Sequence, residues 1–171
     1  GGEFFLSAGT GASGGSVHVA GGQGESSGGG SLHFVGGISS GSENGGLVEI
    51  QSGDGMQAGS GSLKATTAAS STTSGLVKLS SGFSASSSSG VVGIMPGDSG
   101  GDSAGHIGIF AGIGDIGGSI RLSAGAGRST AGSVSVSGGH GSGGPEAGKA
   151  TIVGGQSPDT KGGQAALRGG S

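Results

Sequence analysis

The chain has 171 residues, 49 of them glycine, no cysteine or tryptophan, and a formal net charge of −3 at pH 7. This composition excludes disulfides and thiolate metal sites, and a pI near 5.7 excludes the basic surface with which proteins bind nucleic acid. No apolar run approaches the roughly 18 residues of a membrane span. A mean hydropathy of +0.04 argues against a disordered linker, because such linkers combine low hydrophobicity with high net charge.

Twelve short apolar alternations follow one another along the chain, and each is preceded by glycine. Each has two apolar residues separated by one other residue, and successive alternations begin 13–16 residues apart. We call them the apolar pairs; in chain order they are Phe4/Leu6, Val17/Val19, Leu32/Phe34, Val48/Ile50, Leu63/Ala65, Val77/Leu79, Val92/Ile94, Ile107/Ile109, Ile120/Leu122, Val134/Val136, Ala150/Ile152 and Ala165/Leu167.

The spacing of two within each pair predicts a short β-strand, because successive side chains of a strand point to opposite faces. Most pair members are β-branched residues or leucine, which suits strands. The residues between and beside them are mixed and include His18 and Arg121. We therefore expect the intervening residues to be exposed and the pairs to be buried, in particular Val17, Val19, Ile107, Ile109, Ile120, Leu122, Val134 and Val136.

The Gly/Ser-rich connectors between the pairs have about 7–10 residues. Such connectors are long for tight hairpins and short for a helical crossover. The sequence thus predicts an all-β fold over 1–171, a single tandem-repeat domain of twelve units stacked as a β-solenoid with Gly/Ser-rich corners. Two layers are favoured, with two repeats in each coil. One repeat per coil and an antiparallel β-meander are the alternatives.

One connector contains Gly-Asp-Ser-Gly-Gly at 97–101, which resembles the loop of the nucleophilic serine in chymotrypsin-like proteases. Such an enzyme also needs a histidine and a buried aspartate held by a large core. The four histidines, at 18, 33, 106 and 140, lie in repeat positions or connectors without that context. We therefore expect Ser99 to have no catalytic histidine partner and the protein not to be an enzyme.

The aspartates and histidines do not form a metal-binding pattern. Calcium-binding nonapeptide repeats need aspartate at a fixed phase, and no such phase relates Asp54, Asp98, Asp102, Asp115 and Asp159. His18 and His33 share an outward position, where isolated histidines are usually solvated. No glycine-rich stretch ends in the Gly-Lys-Ser/Thr of a phosphate-binding loop. We predict neither a metal nor a cofactor.

The Ser/Thr-dense connectors suit O-linked glycans, and the candidates are Ser84, Ser86, Ser87, Thr66 and Thr67. The alternative is that these residues are simply flexible polar corners. The only asparagine, Asn44, is followed by two glycines, so the sequence holds no N-glycosylation site. An ice-binding surface would need a regular Thr-x-Thr array. The threonine-rich sequence of this chain is confined to residues 64–73, which argues against such an array.

The stretches GGSIRLSAGAG, AGSVSVSGGHG and GGSVHVAGGQG resemble tandem Gly/Ser-rich repeats of surface and flagellar-hair (mastigoneme) proteins of heterokont algae. The resemblance covers all twelve units. It implies an extracellular, glycosylated structural protein that assembles into a filament, and no catalytic residue follows from it. The alternative is a monomeric solenoid that acts as a binding module, either ice-binding or an adhesin.

The two ends of the chain keep the repeat pattern, and the first repeat is the most apolar. The chain begins without methionine and both ends are Gly-rich, so we expect a segment of a longer chain or fibre. A stack without capping repeats binds another copy head to tail, which yields a homopolymer. We therefore expect Phe4 or Phe5 to contact another subunit or a preceding segment.

Overall fold

The computed structural model describes residues 1–144, 146–158 and 161–169. Over these ranges the chain forms neither a helix nor a β-strand. The predicted all-β solenoid is therefore wrong, and so are its alternatives with one repeat per coil or with an antiparallel meander. The described chain also has no cis peptide bond and no glycine with positive φ.

Within the residues that the structure describes, the chain bends once in every connector. The bends lie at 11–13, 25–27, 40–43, 56–58, 71–72, 85–87, 100–102, 114–116, 128–130, 142–144 and at Pro158. The segments between the bends hold the apolar pairs. The unit of this molecule is therefore an open segment of chain followed by a loop, and it recurs with the period of the sequence repeat.

A glycine-to-glycine hydrogen bond closes most of these loops. The donor is the amide of the glycine two residues before an apolar pair, and the acceptor is the carbonyl of the glycine five residues after the first member of the preceding pair. We call this bond the glycine clasp. It measures 2.8–3.0 Å and joins Gly15 to Gly9, Gly30 to Gly22, Gly46 to Gly37, Gly61 to Gly53, Gly105 to Gly97, Gly118 to Gly112, Gly132 to Gly125, Gly148 to Gly139 and Gly163 to Gly155.

The two connectors before Gly75 and Gly90 show no clasp in the described chain. The acceptor position of the first is Ala68 rather than glycine. Each of these loops instead has a serine that accepts a hydrogen bond from a later amide. The donor to Ser70 is the amide of Thr72, at 3.1 Å, and the donor to Ser84 is the amide of Ser87, at 3.2 Å.

Two positions of every loop carry only small residues. The residue before the acceptor position is always Gly, Ala, Ser, Thr or Pro, and the residue two after it is always Gly or Ser. All the half-buried residues of the described chain occupy these two positions, and they are Ala8, Gly36, Ser52, Gly154, Ser39, Gly55, Ser84 and Ser157. In five of the loops, these positions are thus the most sheltered part of the repeat.

Close approach of the backbone explains why glycine is needed at some of these positions. A Cβ on Gly36 would collide with the carbonyl of Gly46 across the loop. The same collision would occur between Gly154 and the carbonyl of Gly163. No glycine of the described chain has a positive φ. Glycine is therefore required here because a side chain would not fit beside the backbone on the other side of the loop, and not because the backbone is left-handed.

The described residues contain no buried side chain. The chain has an accessible surface of 16,897 Å², whereas a compact protein of its 15.4 kDa mass exposes about 7,000 Å² and an unfolded chain about 22,000 Å². The prediction that Val17, Val19, Ile107, Ile109, Ile120, Leu122, Val134 and Val136 are buried is therefore wrong, since each keeps half or more of its surface exposed.

The physical reason is that the segments with the apolar pairs form no backbone ladder with one another in the described chain. A strand is stable only when its amides and carbonyls join a ladder with a neighbour, and a clasp supplies a single bond to each loop that has one. Forty-nine glycines also raise the entropy lost on ordering the backbone. Two modest apolar side chains in each repeat do not offset that loss.

Close approaches within the chain group it into two units, Gly1–Gly90 and Val91–Ser171. Each unit contains six apolar pairs, and the loops in each are built on the same plan. This plan holds within each unit taken by itself.

Candidate functional site

Most first members of the apolar pairs, together with Val19, are the least exposed large apolar residues of the described chain. Eight first members keep only 48–57% of their surface exposed, and they are Val17, Leu32, Val48, Val77, Val92, Ile107, Ile120 and Val134. Every large apolar residue outside the pairs is at least 77% exposed. These eight first members are therefore a distinct, recurring set of apolar side chains that their own chain covers by only about half.

Position, and not residue type, determines this shelter. Leu47 and Leu76 stand directly before Val48 and Val77, and both leucines are far more exposed than the valines that follow them. The pattern occurs in both units. Half-sheltered apolar side chains that recur in successive repeats are what the surface of a partner could cover.

Aligning the repeats on the pairs shows a signal that the periodicity of apolar residues alone misses. Glycine stands two residues before the first member in all twelve repeats, and five residues after it in all but the one with Ala68. These are the donor and acceptor of the glycine clasp. The residues that determine the loop geometry could thus have been found from the sequence by comparing its own repeats.

Ser99 belongs to the loop that the protease-like pentapeptide forms. Its Oγ accepts a hydrogen bond from the amide of Asp102 at 3.0 Å and a longer one from the amide of Gly101 at 3.4 Å. Oδ1 of Asp102 accepts a bond from the amide of Ser103 at 2.9 Å. Ser99 lies at the same loop position as Ser84. Hydroxyls at such positions commonly hold turns by bonding to nearby amides.

The predicted glycosylation residues divide into two groups. Ser86 and Ser87 lie in the exposed bend 85–87, and Thr66 and Thr67 are also exposed. Ser84 is half-buried, and the bond from the amide of Ser87 to its Oγ brings these two residues together. Ser84 is therefore the least accessible of the five candidates.

Phe4 and Phe5, the predicted assembly contact, are 88% and 81% exposed. Neither is sheltered in the way that most other first members are. Their expected contact with another subunit therefore stays a prediction.

The polar side chains do not converge on a metal site in the described chain, where no three His, Asp or Glu residues come together. His18 and His33 are exposed, and Asp159 lies outside the described residues. Over the same ranges the chain encloses no cavity. The described chain also forms no helix that has the length and apolar character needed to cross a bilayer.

No protein-family model, curated protein or solved structure matches the chain. Its function is therefore inferred from the repeat, the clasp and the half-sheltered apolar pairs.

Proposed function

We propose that this chain is a structural, extracellular protein that assembles with further copies of itself into a filament or surface appendage. The observation that supports the proposal is the recurrence of half-sheltered first members, with 48–57% of their surface exposed, in both units. A side chain in this state has lost part of its contact with water and gains the rest of the hydrophobic stabilisation only when another surface covers it.

The amount of surface supports assembly. The single chain exposes 16,897 Å², which exceeds the roughly 7,000 Å² of a compact protein of this mass by about 10,000 Å². A stable protein–protein interface needs only about 1,600 Å² in total. The chain therefore offers enough surface for contacts with several neighbours at once.

The loops support an extracellular, glycosylated surface. Ser86, Ser87, Thr66 and Thr67 are exposed loop or loop-flanking residues with hydroxyl groups. Glycans there would be attached outside the apolar pairs and would leave them free for contact. The resemblance to algal surface and flagellar-hair repeats fits the same role. The head-to-tail contact through Phe4 or Phe5 belongs to this proposal.

A role without catalysis is part of the proposal. The Oγ of Ser99 is hydrogen-bonded to two amides of its own loop, and this accounts for the serine in structural terms. The glycine-rich sequence around Ser99 forms the same kind of loop as the other clasped repeats, with Gly97 as the acceptor and Gly105 as the donor of the clasp.

Assembly can be tested by sedimentation velocity and negative-stain microscopy of the purified chain over a range of concentrations. We expect the sedimenting mass to rise with concentration and filaments to appear. The double variant V134S/V136S should shift the onset to higher concentration, because it removes one apolar pair. A chain that stays monomeric at every concentration contradicts the proposal, whether it is unordered or becomes an ordered single-chain binding module.

A further inference from the structure

The glycine clasp makes successive apolar pairs equivalent despite the different lengths of the loops between them. The loop from Gly9 to Gly15 has five intervening residues and the loop from Gly37 to Gly46 has eight, yet their clasps are both 2.8 Å long. Across a clasp, the path from one pair to the next always runs five residues to the acceptor and two residues from the donor. The additional residues of a longer loop lie between its two clasped glycines, so they do not change these two numbers.

From this equivalence we infer that a second copy of the chain covers the apolar pairs, and that it can do so displaced by any whole number of repeats. The inference rests on the proposed function, because it requires self-assembly. It adds the surface, the partner and the allowed registers. It applies to each of the two units on its own, along the pairs that clasps join, which run from Phe4/Leu6 to Leu63/Ala65 in the first unit and from Val92/Ile94 to Ala165/Leu167 in the second.

A second copy of the chain fits as the partner because it has the same apolar pairs, joined by the same clasps. A partner that covers successive pairs must present apolar groups at each of them, and a copy of the chain does so in every clasped repeat. The excess surface is large enough for such a contact along many repeats. A partner that matched only one pair would cover too little area for a stable complex.

Displaced copies explain how a lateral contact becomes an open polymer. Two copies in the same register cover each other and leave nothing for a third. Two copies displaced by one repeat leave a pair uncovered at each end, and the next copy can cover it. A contact of this kind does not close on itself and therefore propagates into a filament.

Cysteine cross-linking tests the register, because the natural chain contains no cysteine. Val17, Leu32 and Val48 are first members of pairs within Gly1–Gly90, so a cysteine at any of them lies on the surface that the second copy covers. Assemblies are formed from an equal mixture of V17C and isotope-labelled L32C chains, or of V17C and labelled V48C chains, and are then oxidised. We expect disulfides between different positions and between identical positions in a ratio near unity.

The control is S27C, whose cysteine lies in the bend 25–27; mixed with V17C, it should give only background cross-linking. Assemblies in which only identical positions cross-link would overturn the inference and leave the proposed function intact. Equal cross-linking of S27C would also overturn it, because contact would then be indiscriminate. Failure of all chains to assemble would instead contradict the proposed function.

Discussion

Val91 and Val92 are adjacent residues of identical chemistry, yet Val92 keeps 52% of its surface exposed and Val91 keeps 93%. Val92 is the first member of an apolar pair and Val91 stands beside the pair. The difference therefore follows the position in the repeat and not the residue type. This neighbouring pair of valines is a natural matched comparison for the contribution of the apolar pairs to assembly.

The variant Val92→Thr should weaken assembly, whereas Val91→Thr should have little effect. Threonine has nearly the same shape as valine but replaces a methyl group with a hydroxyl, which costs about 1 kcal/mol where the methyl is buried by a partner. This corresponds to a roughly fivefold rise in the concentration at which assembly begins. Pelleting assays over a concentration series measure it. Equal effects of the two substitutions would contradict a role for the pairs.

A second matched comparison tests the close approach at Gly36. A Cβ there would meet the carbonyl of Gly46, whereas a Cβ on Gly37 would meet nothing within 4 Å. Gly36→Ala should open the loop at a cost of about 1–3 kcal/mol, and Gly37→Ala should be neutral or slightly stabilising, by up to about 1 kcal/mol, because it restricts the unfolded chain.

Hydrogen exchange at the amide of Gly46, which donates to Gly37, reads out this clasp directly. Gly36→Ala should accelerate exchange there and leave the amide of Gly61, the donor of the following clasp, unchanged. If both alanine variants behave alike, space at Gly36 does not hold this loop together.

Ser99 should act as a hydrogen-bond acceptor of its loop and not as a nucleophile. Ser99→Ala removes the acceptor for the amides of Gly101 and Asp102, and such a bond contributes about 0.5–1.5 kcal/mol. Exchange of these two amides should quicken, while Ser103→Ala, which changes a neighbouring hydroxyl, should leave the amide of Gly101 unaffected. Covalent labelling of Ser99 by a serine-hydrolase probe would overturn the structural interpretation.

If the protein from its natural source carries O-glycans, they should occupy Ser86 and Ser87 in preference to Ser84. The first two hydroxyls lie in an exposed bend, whereas Ser84 is half-buried and its Oγ is hydrogen-bonded to the amide of Ser87. Peptide mass spectrometry with electron-transfer fragmentation locates the sugars. Glycans found chiefly on Ser84 would show that this loop is open in the protein when it is modified.

Sequence reasoning located the repeat but not the structure that the repeat adopts. The spacing of two in Val17/Val19 or Ile107/Ile109 predicts buried strands, because a strand is the usual way to bury such a pattern. The spacing alone does not show whether the segments find a backbone partner within the chain, and in the described residues they find none. The clasp was missed for another reason, since glycines such as Gly37 and Gly46 do not stand out among 49 until the repeats are aligned.

Because of the clasp, the length of a loop does not change the number of residues between the clasp and the apolar pairs on either side of it. Closing a flexible loop costs only about 0.6 kcal/mol more when its length doubles, and the loops already range from five to eight residues between their clasped glycines. Insertions and deletions at a bend such as 40–43 should therefore change the free energy of the loop only slightly and leave the structure of the other repeats unchanged. In a protein with this architecture, mutations can change the length and sequence of each loop independently, while the clasps and the apolar pairs stay the same.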